Sequence, residues 1–253
     1  MADAVVDAAR RTLGPVGACL PVSFTGAPHA ELQRQAVGRL ERAGYGAIWT
    51  NEVIGKDALV QVATLLAATD RMVFGTCIAN IWARAPQTMH AAASQLAEAY
   101  PGRFVLGLGV GYPEQAASTG QEFGSPLATM RNYLHRMDSP TWPPAPDAPY
   151  PRIIAANGPK MLALAGDSAD GALPATRPPE FTAQARQVLG PDKLLVVGMS
   201  VDADRSQAAA QQAVREQLAA GADHVTLLGP IGIEFDSGIS QLEQLAPALA
   251  ELG

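Results

Sequence analysis

The sequence predicts a (β/α)8 TIM barrel that forms one domain over residues 1–253. Short apolar runs typical of buried strands alternate with longer helix-like runs, which gives eight strand–helix pairs with few interruptions. Several strand-like runs end in small or polar residues, as the ligand-binding ends of parallel strands do. Eight successive pairs match a closed barrel. A doubly wound open sheet, which usually has fewer strands, is the alternative.

Four of the predicted strand–helix pairs come before a proline-rich segment. Their strands are Val16–Leu20, Ala47–Thr50, Met72–Ile78 and Phe104–Leu108. Their helices are His29–Ala43, Ala58–Thr69, Thr88–Ala99 and Leu127–Met137. Gly44 is expected to end the first helix, because glycine is favoured just after a helix terminus.

The proline-rich segment Ser139–Pro146 is predicted to be a connecting loop, since proline at this density propagates neither a helix nor a central strand. The strand–helix periodicity resumes unchanged beyond it, which argues against a domain boundary. The later strands are Arg152–Ala156, Gly171–Pro174, Leu194–Met199 and His224–Leu228. The later helices are Lys160–Ser168, one starting near Pro178, Ser206–Ala220 and Ile239–Leu252.

Two predicted helices carry too little charge for the outside of a barrel. Helix 58–69 has no charged residue within it, and helix 88–99 has only His90 and Glu98. Outer helices normally present a polar face to water. We therefore expect helices 58–69 and 88–99 to form a homodimer interface, with alanine-rich helices that tolerate water as the alternative.

Composition excludes several classes of function. The formal net charge is −6 and no run of lysine or arginine is present, which argues against binding to nucleic acid or anionic membranes. Two cysteines give no disulfide framework and favour a cytoplasmic location. We expect no signal peptide and no membrane span. The four histidines lack metal-ligand spacing, so no metal site is predicted.

Three features at predicted strand ends are candidates for ligand contacts. Gly158 lies in the turn Asn157–Lys160, where a strand gives way to a helix whose free amide groups suit a phosphate; an ordinary turn is equally compatible. The run Gly107–Gly111 is not a complete dinucleotide-binding fingerprint, and a glycine-rich turn explains it at least as well. Glu52 follows the second strand, where a solvated loop acid is the common alternative to a functional one.

Taken together, the motifs resemble the luciferase-like monooxygenase superfamily, and within it the actinobacterial oxidoreductases that use coenzyme F-420, a 5-deazaflavin. The resemblance covers nearly the whole chain in order, and the most specific single motif is Gly102–Gly109. The other matching stretches are Leu40–Glu52, Ala67–Thr76, Arg84–Pro86, Ala155–Pro159, Ala169–Ala172 and Ala220–Val225.

The resemblance implies a barrel, often dimeric, that binds a flavin-like ring at the carboxyl ends of its strands. It implies a non-proline cis peptide bond at Cys77–Ile78, in a bulge behind the ring. It also places Glu52 at the polar edge of the cofactor. The implied cofactor-binding residues are Asn51, Glu52, Thr76, Cys77, Ile78, Asn80, Gly107, Gly109, Ala156, Asn157, Gly158, Pro159 and Met161. Trp82 and Arg84 are expected in the substrate pocket, with a surface loop anchored by the tryptophan as the alternative.

Two departures from the family pattern bear on the reaction. Many relatives carry a histidine directly after the acidic residue, where this chain has Val53, so the proton donor and any catalytic residue are unassigned. The barrel is also expected to be shortened after the seventh strand, where 201–204 runs almost directly into a helix. The expected activity is hydride transfer between reduced F-420 and an unidentified small organic substrate. An FMN-dependent two-component monooxygenase and a non-catalytic flavin-binding relative are the alternatives.

Overall fold

Parallel strands close into a barrel in the structure, a computed structural model that describes residues 2–22, 26, 28–53, 55–202 and 204–252. The strands are β1 Val16–Cys19, β2 Ala47–Thr50, β3 Val73–Thr76, β4 Ala79–Asn80, β5 Phe104–Gly109, β6 Arg152–Ala155, β7 Gly171–Leu173, β8 Leu194–Ser200 and β9 His224–Leu228. β3 pairs with β5 and so joins the two edges of the strand order. Because β3 and β4 are two halves of one barrel strand, the barrel has eight strands, as predicted.

Helices surround this barrel in the described part of the chain. They are α1 Ala2–Leu13, α2 Ala30–Ala43, α3 Ala58–Leu66, α4 Pro86–Ala99, α5 Pro113–Ser118, α6 Pro126–Met137, α7 Pro159–Ser168, α8 Pro179–Leu189, α9 Gln207–Ala219 and α10 Phe235–Ala250. Gly44 ends α2 with φ of 107°, a left-handed conformation that glycine adopts without a steric penalty. The loop from β8 to α9 is short, as expected. None of the helices described is both long enough and apolar enough to cross a membrane.

The structure corrects the predicted elements at several places: the short helix α5 was not predicted, and α10 begins at Phe235 rather than Ile239. Helix α1 was not predicted, because it precedes the first strand and belongs to no strand–helix pair. The third strand, predicted as the continuous run Met72–Ile78, is interrupted at Cys77–Ile78 by a bulge. Helix α3 ends at Leu66 rather than Thr69, and its last predicted residues form turns.

Apolar side chains fill the barrel interior at the amino-terminal ends of its strands. Val6, Ala9 and Leu13 of α1 pack against inward-facing side chains of the strands and close this end of the barrel. Trp49 occupies the centre, where a Cβ atom at Gly75 would overlap its ring. The amino-terminal half is therefore solid, and the carboxyl ends of the strands are left for ligand contacts.

A buried hydrogen-bonded chain fixes the ring of His224 inside the barrel. Trp49 donates from Nε1 to Nε2 of His224 at 3.0 Å, and Nδ1 of His224 lies 2.7 Å from the carbonyl oxygen of Gly14. The first bond requires a lone pair on Nε2 and the second requires a proton on Nδ1, so the imidazole is neutral. Complete burial lowers the pKa of His224 to about 4, although the Gly14 carbonyl opposes that shift.

We expect the stability of the protein to fall between about pH 7 and about pH 5 because of His224. In this window the unfolded chain takes up a proton on the ring, whose ordinary pKa is 6.5, while the folded ring stays neutral down to a pKa of about 4. The unfolded state binds more protons, so the free energy of unfolding decreases by about 2 kcal/mol as the pH falls. Urea unfolding at several pH values measures this loss. A His224→Gln variant, whose amide can accept from Trp49 and donate to Gly14 without titrating, serves as the control. Identical pH dependence in both proteins would contradict the assignment.

The proline-rich segment forms a loop at the amino-terminal end of the barrel, as predicted. Residues 139–149 have no helix or strand, and the Trp142–Pro143 bond is cis. A cavity of about 580 Å³ lies beneath this loop and is lined by residues of α1, α4 and the first residue of β6. It is at the opposite end of the barrel from the predicted cofactor site.

Candidate functional site

The third barrel strand carries a one-residue bulge where the resemblance places the cofactor ring. Gly75 pairs with Val105 and Ala79 pairs with Leu108, so four steps along one strand match three along β5. The extra residue falls at Cys77–Ile78, and the peptide bond between them is cis, as the resemblance implies. The amide of Cys77 donates to the Thr50 carbonyl oxygen at 2.7 Å, which holds the bulge against β2.

The hydroxyl of Thr76 bridges the ladder that the bulge interrupts. Its Oγ1 donates to the carbonyl oxygen of Gly107 at 2.7 Å and accepts from the amide of Gly107 at 2.9 Å. Thr76 is fully buried, and a Cβ atom on Gly107 would overlap the Thr76 carbonyl oxygen. The structure therefore gives both predicted cofactor-binding residues a role between the strands, and it does not bring the Thr76 hydroxyl to the surface of the site.

Glu52 is buried just beyond β2, with both carboxylate oxygens occupied. Oε1 accepts from the amide of Ala58 at 2.9 Å, and Oε2 accepts from the amide of Asn80 at 2.7 Å. The guanidinium group of Arg84 donates to both oxygens, at 2.5 and 3.1 Å. These four donors match the acceptor capacity of an ionised carboxylate. Glu52 was predicted to contact the polar edge of the cofactor. In the structure both of its carboxylate oxygens are already hydrogen-bonded within the protein.

Arg84 was predicted in the substrate pocket, but its guanidinium group is turned towards carboxylates. Besides Glu52, it lies 2.8 Å from Oδ2 of Asp57, the residue that caps the start of α3. Burial lowers the pKa of Arg84, but the two carboxylates outweigh burial and the pKa is raised overall. The Glu52–Arg84–Asp57 cluster thus ties the loop after β4 to the start of α3.

Asn80, the last residue of β4, and Trp82, in the loop that follows, support the rim of the barrel from within. The indole Nε1 of Trp82 donates to the carbonyl oxygen of Val110 at 2.7 Å, and its ring packs on Phe123. The side-chain oxygen of Asn80 accepts from the amide of Trp82 at 3.0 Å. Both side chains are buried, so Trp82 anchors the loop, which corresponds to the alternative weighed for it from sequence.

Lys56, which sequence reasoning missed, brings an ammonium group to the carboxyl end of β2. Nζ donates to Oδ1 of Asn51 at 2.8 Å and to Oγ1 of Thr50 at 3.1 Å. Burial lowers the pKa of Lys56, while the charges of Cys19 and Glu52 oppose that shift. A lysine shortly after a barrel strand was the available signal, because strand ends gather at one face.

Uncharged side chains line the interior next to the bulge. We call Cys77, Ala175 and Leu228 the floor; all three are partly buried and pack on the inner barrel cluster. The side chain of Ile78 lies over Gly109, where a Cβ atom would be 2.5 Å from Cδ1 of the isoleucine. Ala175 and Leu228 were not predicted, since nothing in their local sequence distinguishes an inward position at the barrel end from an ordinary core position.

The other predicted cofactor residues lie at the end of β6. Asn157 accepts at Oδ1 from the amide of Ala175 at 2.9 Å, and its carbonyl oxygen accepts from Nη2 of Arg177 at 2.7 Å. Gly158 immediately precedes α7, and the space that its Cβ atom would occupy contains no atom within 4 Å. Lys160 is exposed in the first turn of α7. The Asn157 side chain thus joins the segment from Ala156 to Met161 to Ala175, a residue of the floor.

Comparison with known proteins identifies the family and the fold. The family model for luciferase-like monooxygenases matches residues 16–227. A protein of Mycobacterium tuberculosis named as a coenzyme F-420-dependent oxidoreductase is 29% identical over 187 residues, which cover 61% of this chain and 54% of that protein. The chain spans about half the length of the curated relatives it matches.

Two solved structures illustrate the likeness in fold. An F-420-dependent secondary alcohol dehydrogenase in complex with an F-420–acetone adduct superimposes with a TM-score of 0.75 at 16% identity, covering 93% of this chain and 98% of that one. The oxygenating constituent of a diketocamphane monooxygenase from Pseudomonas putida, in complex with FMN, gives 0.69 at 12% identity, covering 94% and 98%. At these identities the superpositions concern the fold alone.

Proposed function

The chain belongs to the luciferase-like monooxygenase family, and we propose that it is an oxidoreductase that transfers a hydride between reduced coenzyme F-420 and a small organic substrate. The observation that carries this proposal is the likeness to the mycobacterial protein named as F-420-dependent, over more than half of this chain. The barrel supplies the geometry, because its carboxyl ends are where parallel barrels bind their ligands.

The residues at the carboxyl end suit a flat ring with a phosphate-bearing tail. The floor offers an uncharged surface against which a ring can lie. Across the barrel, α7 begins directly after the unobstructed Gly158, and Lys160 and Arg177 bring two positive charges to that helix start. Pro159 has no N–H, and the amides of Met161 and Leu162 already donate to the carbonyl oxygen of Gly158. The helix dipole and the two cationic side chains are therefore what favour a phosphate here.

When bound, the reduced deazaflavin supplies the hydride, and the protein contributes position and surroundings. The floor would support the ring, and the Glu52–Arg84–Asp57 cluster holds the loop after β4 against the start of α3. Lys56 offers an ionisable group near Asn51, in the region where Val53 has no proton to exchange. Arg177, which donates to the carbonyl oxygen of Asn157, is held close to the start of α7, where the phosphate would bind.

A second candidate is an FMN-dependent monooxygenase. It is favoured by the likeness in fold to the diketocamphane monooxygenase component that was solved with FMN. Both cofactors carry a tricyclic ring and a phosphate, so the floor and the α7 site suit either. The reaction class depends on which of them the protein binds.

Titration of the purified protein with oxidised F-420 and with FMN, each followed by fluorescence, tests both candidates. We expect saturable binding of F-420 that is at least about tenfold tighter than that of FMN, a difference of about 1.4 kcal/mol. Tighter binding of FMN would favour the monooxygenase, and binding of neither cofactor at tens of micromolar would overturn the proposal.

The double variant Lys160→Ala/Arg177→Ala is expected to weaken binding of the preferred cofactor by about tenfold or more, because two charge-assisted contacts to the phosphate are lost. Arg215→Ala, which removes an exposed arginine from α9, is the matched control and should leave the affinity unchanged. Equal affinity in all three proteins would place the phosphate elsewhere.

A further inference from the structure

The two cysteines of the chain, far apart in sequence, meet at the carboxyl end of the barrel. Cys19 is the last residue of β1 and pairs with Trp49 of β2, while Cys77 follows β3 and bonds through its amide to Thr50 of β2. β1 and β3 therefore flank β2, and inward side chains of alternate strands meet in the barrel interior. Both cysteines belong to the inner cluster, and both are free.

The two thiols are chemically unequal. Contact with the Cys77 thiol lowers the pKa of Cys19, and the nearby ammonium group of Lys56 lowers it further, although burial opposes both effects. The same contact raises the pKa of Cys77, as does its burial. Cys19 is thus the better source of a thiolate, the form that reacts with oxidants, and Cys77 is the protonated neighbour.

Lys56 is held in position to support this asymmetry. Its Nζ is fixed by Asn51 and Thr50, and the carbonyl of that same Thr50 accepts the amide of Cys77. The ammonium group and the two thiols therefore surround the end of β2. An ordered positive charge beside a thiol pair favours the thiolate form, and Cys19 reaches this state although the residue is only 4% exposed.

We propose that Cys19 and Cys77 form a peroxide-sensitive dithiol that closes to an intramolecular disulfide across the end of β2. The Cys19 thiolate attacks one oxygen of hydrogen peroxide, the O–O bond breaks, and the departing hydroxide takes a proton to leave as water. The resulting Cys19 sulfenic acid is attacked by the sulfur of Cys77, the S–S bond forms and the S–O bond breaks. Cys77 loses its proton, and a second water leaves. Two thiols are oxidised and one peroxide is reduced.

Closing the bond requires movement, and the bulge is the segment that supplies it. Strands two positions apart in a sheet are separated by roughly 9–10 Å, whereas disulfides join Cα atoms about 4.4–6.8 Å apart. Cys77 lies between β3 and β4, where the ladder with β5 is interrupted. Its amide still bonds to the Thr50 carbonyl oxygen, so closing the disulfide must break or stretch that contact with β2. Oxidation therefore draws Cys77 towards β1 and out of the floor.

The test is to treat the reduced full-length protein with hydrogen peroxide and remove the excess with catalase. The protein is then unfolded in the presence of N-ethylmaleimide, and intact mass and non-reducing peptide maps are measured. We expect a species two hydrogen masses lighter, with no maleimide attached, that contains a Cys19–Cys77 cross-linked peptide and is reversed by dithiothreitol. Sulfinic acid at either cysteine with the other thiol still free, or a disulfide between two chains, would overturn the proposal.

Variants test the unequal roles of the thiols. Cys77→Ala is expected to accumulate a sulfenic acid at Cys19 that dimedone traps, and Cys19→Ala to leave Cys77 largely unmodified. Lys56→Met should slow the loss of the Cys19 thiol by about tenfold, with Lys160→Met as a control lysine remote from the thiols. The reverse pattern, in which Cys77 is oxidised first, would contradict the assignment even if a disulfide forms.

The effect on ligand binding rests on the proposed function, whereas the thiol chemistry does not. Because oxidation distorts the floor, the disulfide form is expected to bind the preferred cofactor at least about tenfold more weakly, with recovery after reduction. If the disulfide forms and neither redox state binds a cofactor, the proposed function fails and the dithiol stands. If the reduced protein binds a cofactor and no disulfide forms, the dithiol fails and the proposed function stands.

Discussion

Replacing Arg84 with methionine is expected to lower the free energy of unfolding by about 3–5 kcal/mol, because it leaves a buried charge without its partner. The side chain of Glu52 is only 4% exposed, and the guanidinium group provides two of its four donors. Methionine keeps the length and most of the volume of the arginine stem, so the loss reports chiefly on the charge. Urea unfolding at neutral pH measures it.

Two further variants show whether burial is the cause. Arg39→Met breaks a similar two-point contact with Glu243, but the side chains of Arg39 and Glu243 are 34% and 31% exposed. This substitution is expected to lower the free energy of unfolding by less than about 1 kcal/mol. The double variant Arg84→Met/Glu52→Gln removes both buried charges and should recover at least half of the stability lost in Arg84→Met. A loss below about 1 kcal/mol for Arg84→Met, or additive losses in the double variant, would show that the pair is not stabilising the rim.

Most of the fold was predictable because the barrel strands and the helices paired with them carry local signals. Strands such as Phe104–Gly109 are continuous apolar runs, and the intervening helices have capping residues or proline at their starts. The bulge at Cys77–Ile78 was not predictable from periodicity, because the run from Met72 to Ile78 reads as one uninterrupted apolar strand. Only the resemblance placed a cis bond there. Helix α1 was not predicted because it fills the end of the barrel and belongs to no strand–helix pair.

The candidate site was less predictable, because its interactions join residues that are distant in sequence. Glu52 could be selected as a polar residue at a strand end, but its pairing with Arg84 depends on how the loop after β4 folds back. Cys19 and Cys77 read as two isolated thiols until the closing of the barrel brings β1 and β3 to either side of β2. Lys56 becomes notable only through the burial that lowers its pKa. Such properties arise from tertiary contacts, which neither composition nor spacing encodes.

Gly107→Ala is expected to destabilise the protein by about 3 kcal/mol or more, whereas Gly158→Ala should change the free energy of unfolding by less than about 0.5 kcal/mol. A methyl group at Gly107 would overlap the carbonyl oxygen of Thr76, a backbone atom that cannot turn aside as a side chain can. At Gly158 the same methyl group enters open space, and its φ of −154° is extended backbone that alanine adopts readily.

Urea unfolding and cofactor titration of these two variants distinguish a glycine needed for stability, Gly107, from a glycine needed for cofactor binding, Gly158. If the phosphate tail of the cofactor packs directly against the backbone at Gly158, Gly158→Ala weakens cofactor binding while stability stays at the wild-type value. The added methyl group would fill the space that the phosphate tail uses. Gly107→Ala should instead lose stability through the ladder between β3 and β5. A Gly107→Ala protein with wild-type stability would mean that the bulge yields to the added methyl group. The two hydrogen bonds between the Thr76 hydroxyl and Gly107 would then not be what holds β3 and β5 together at this point.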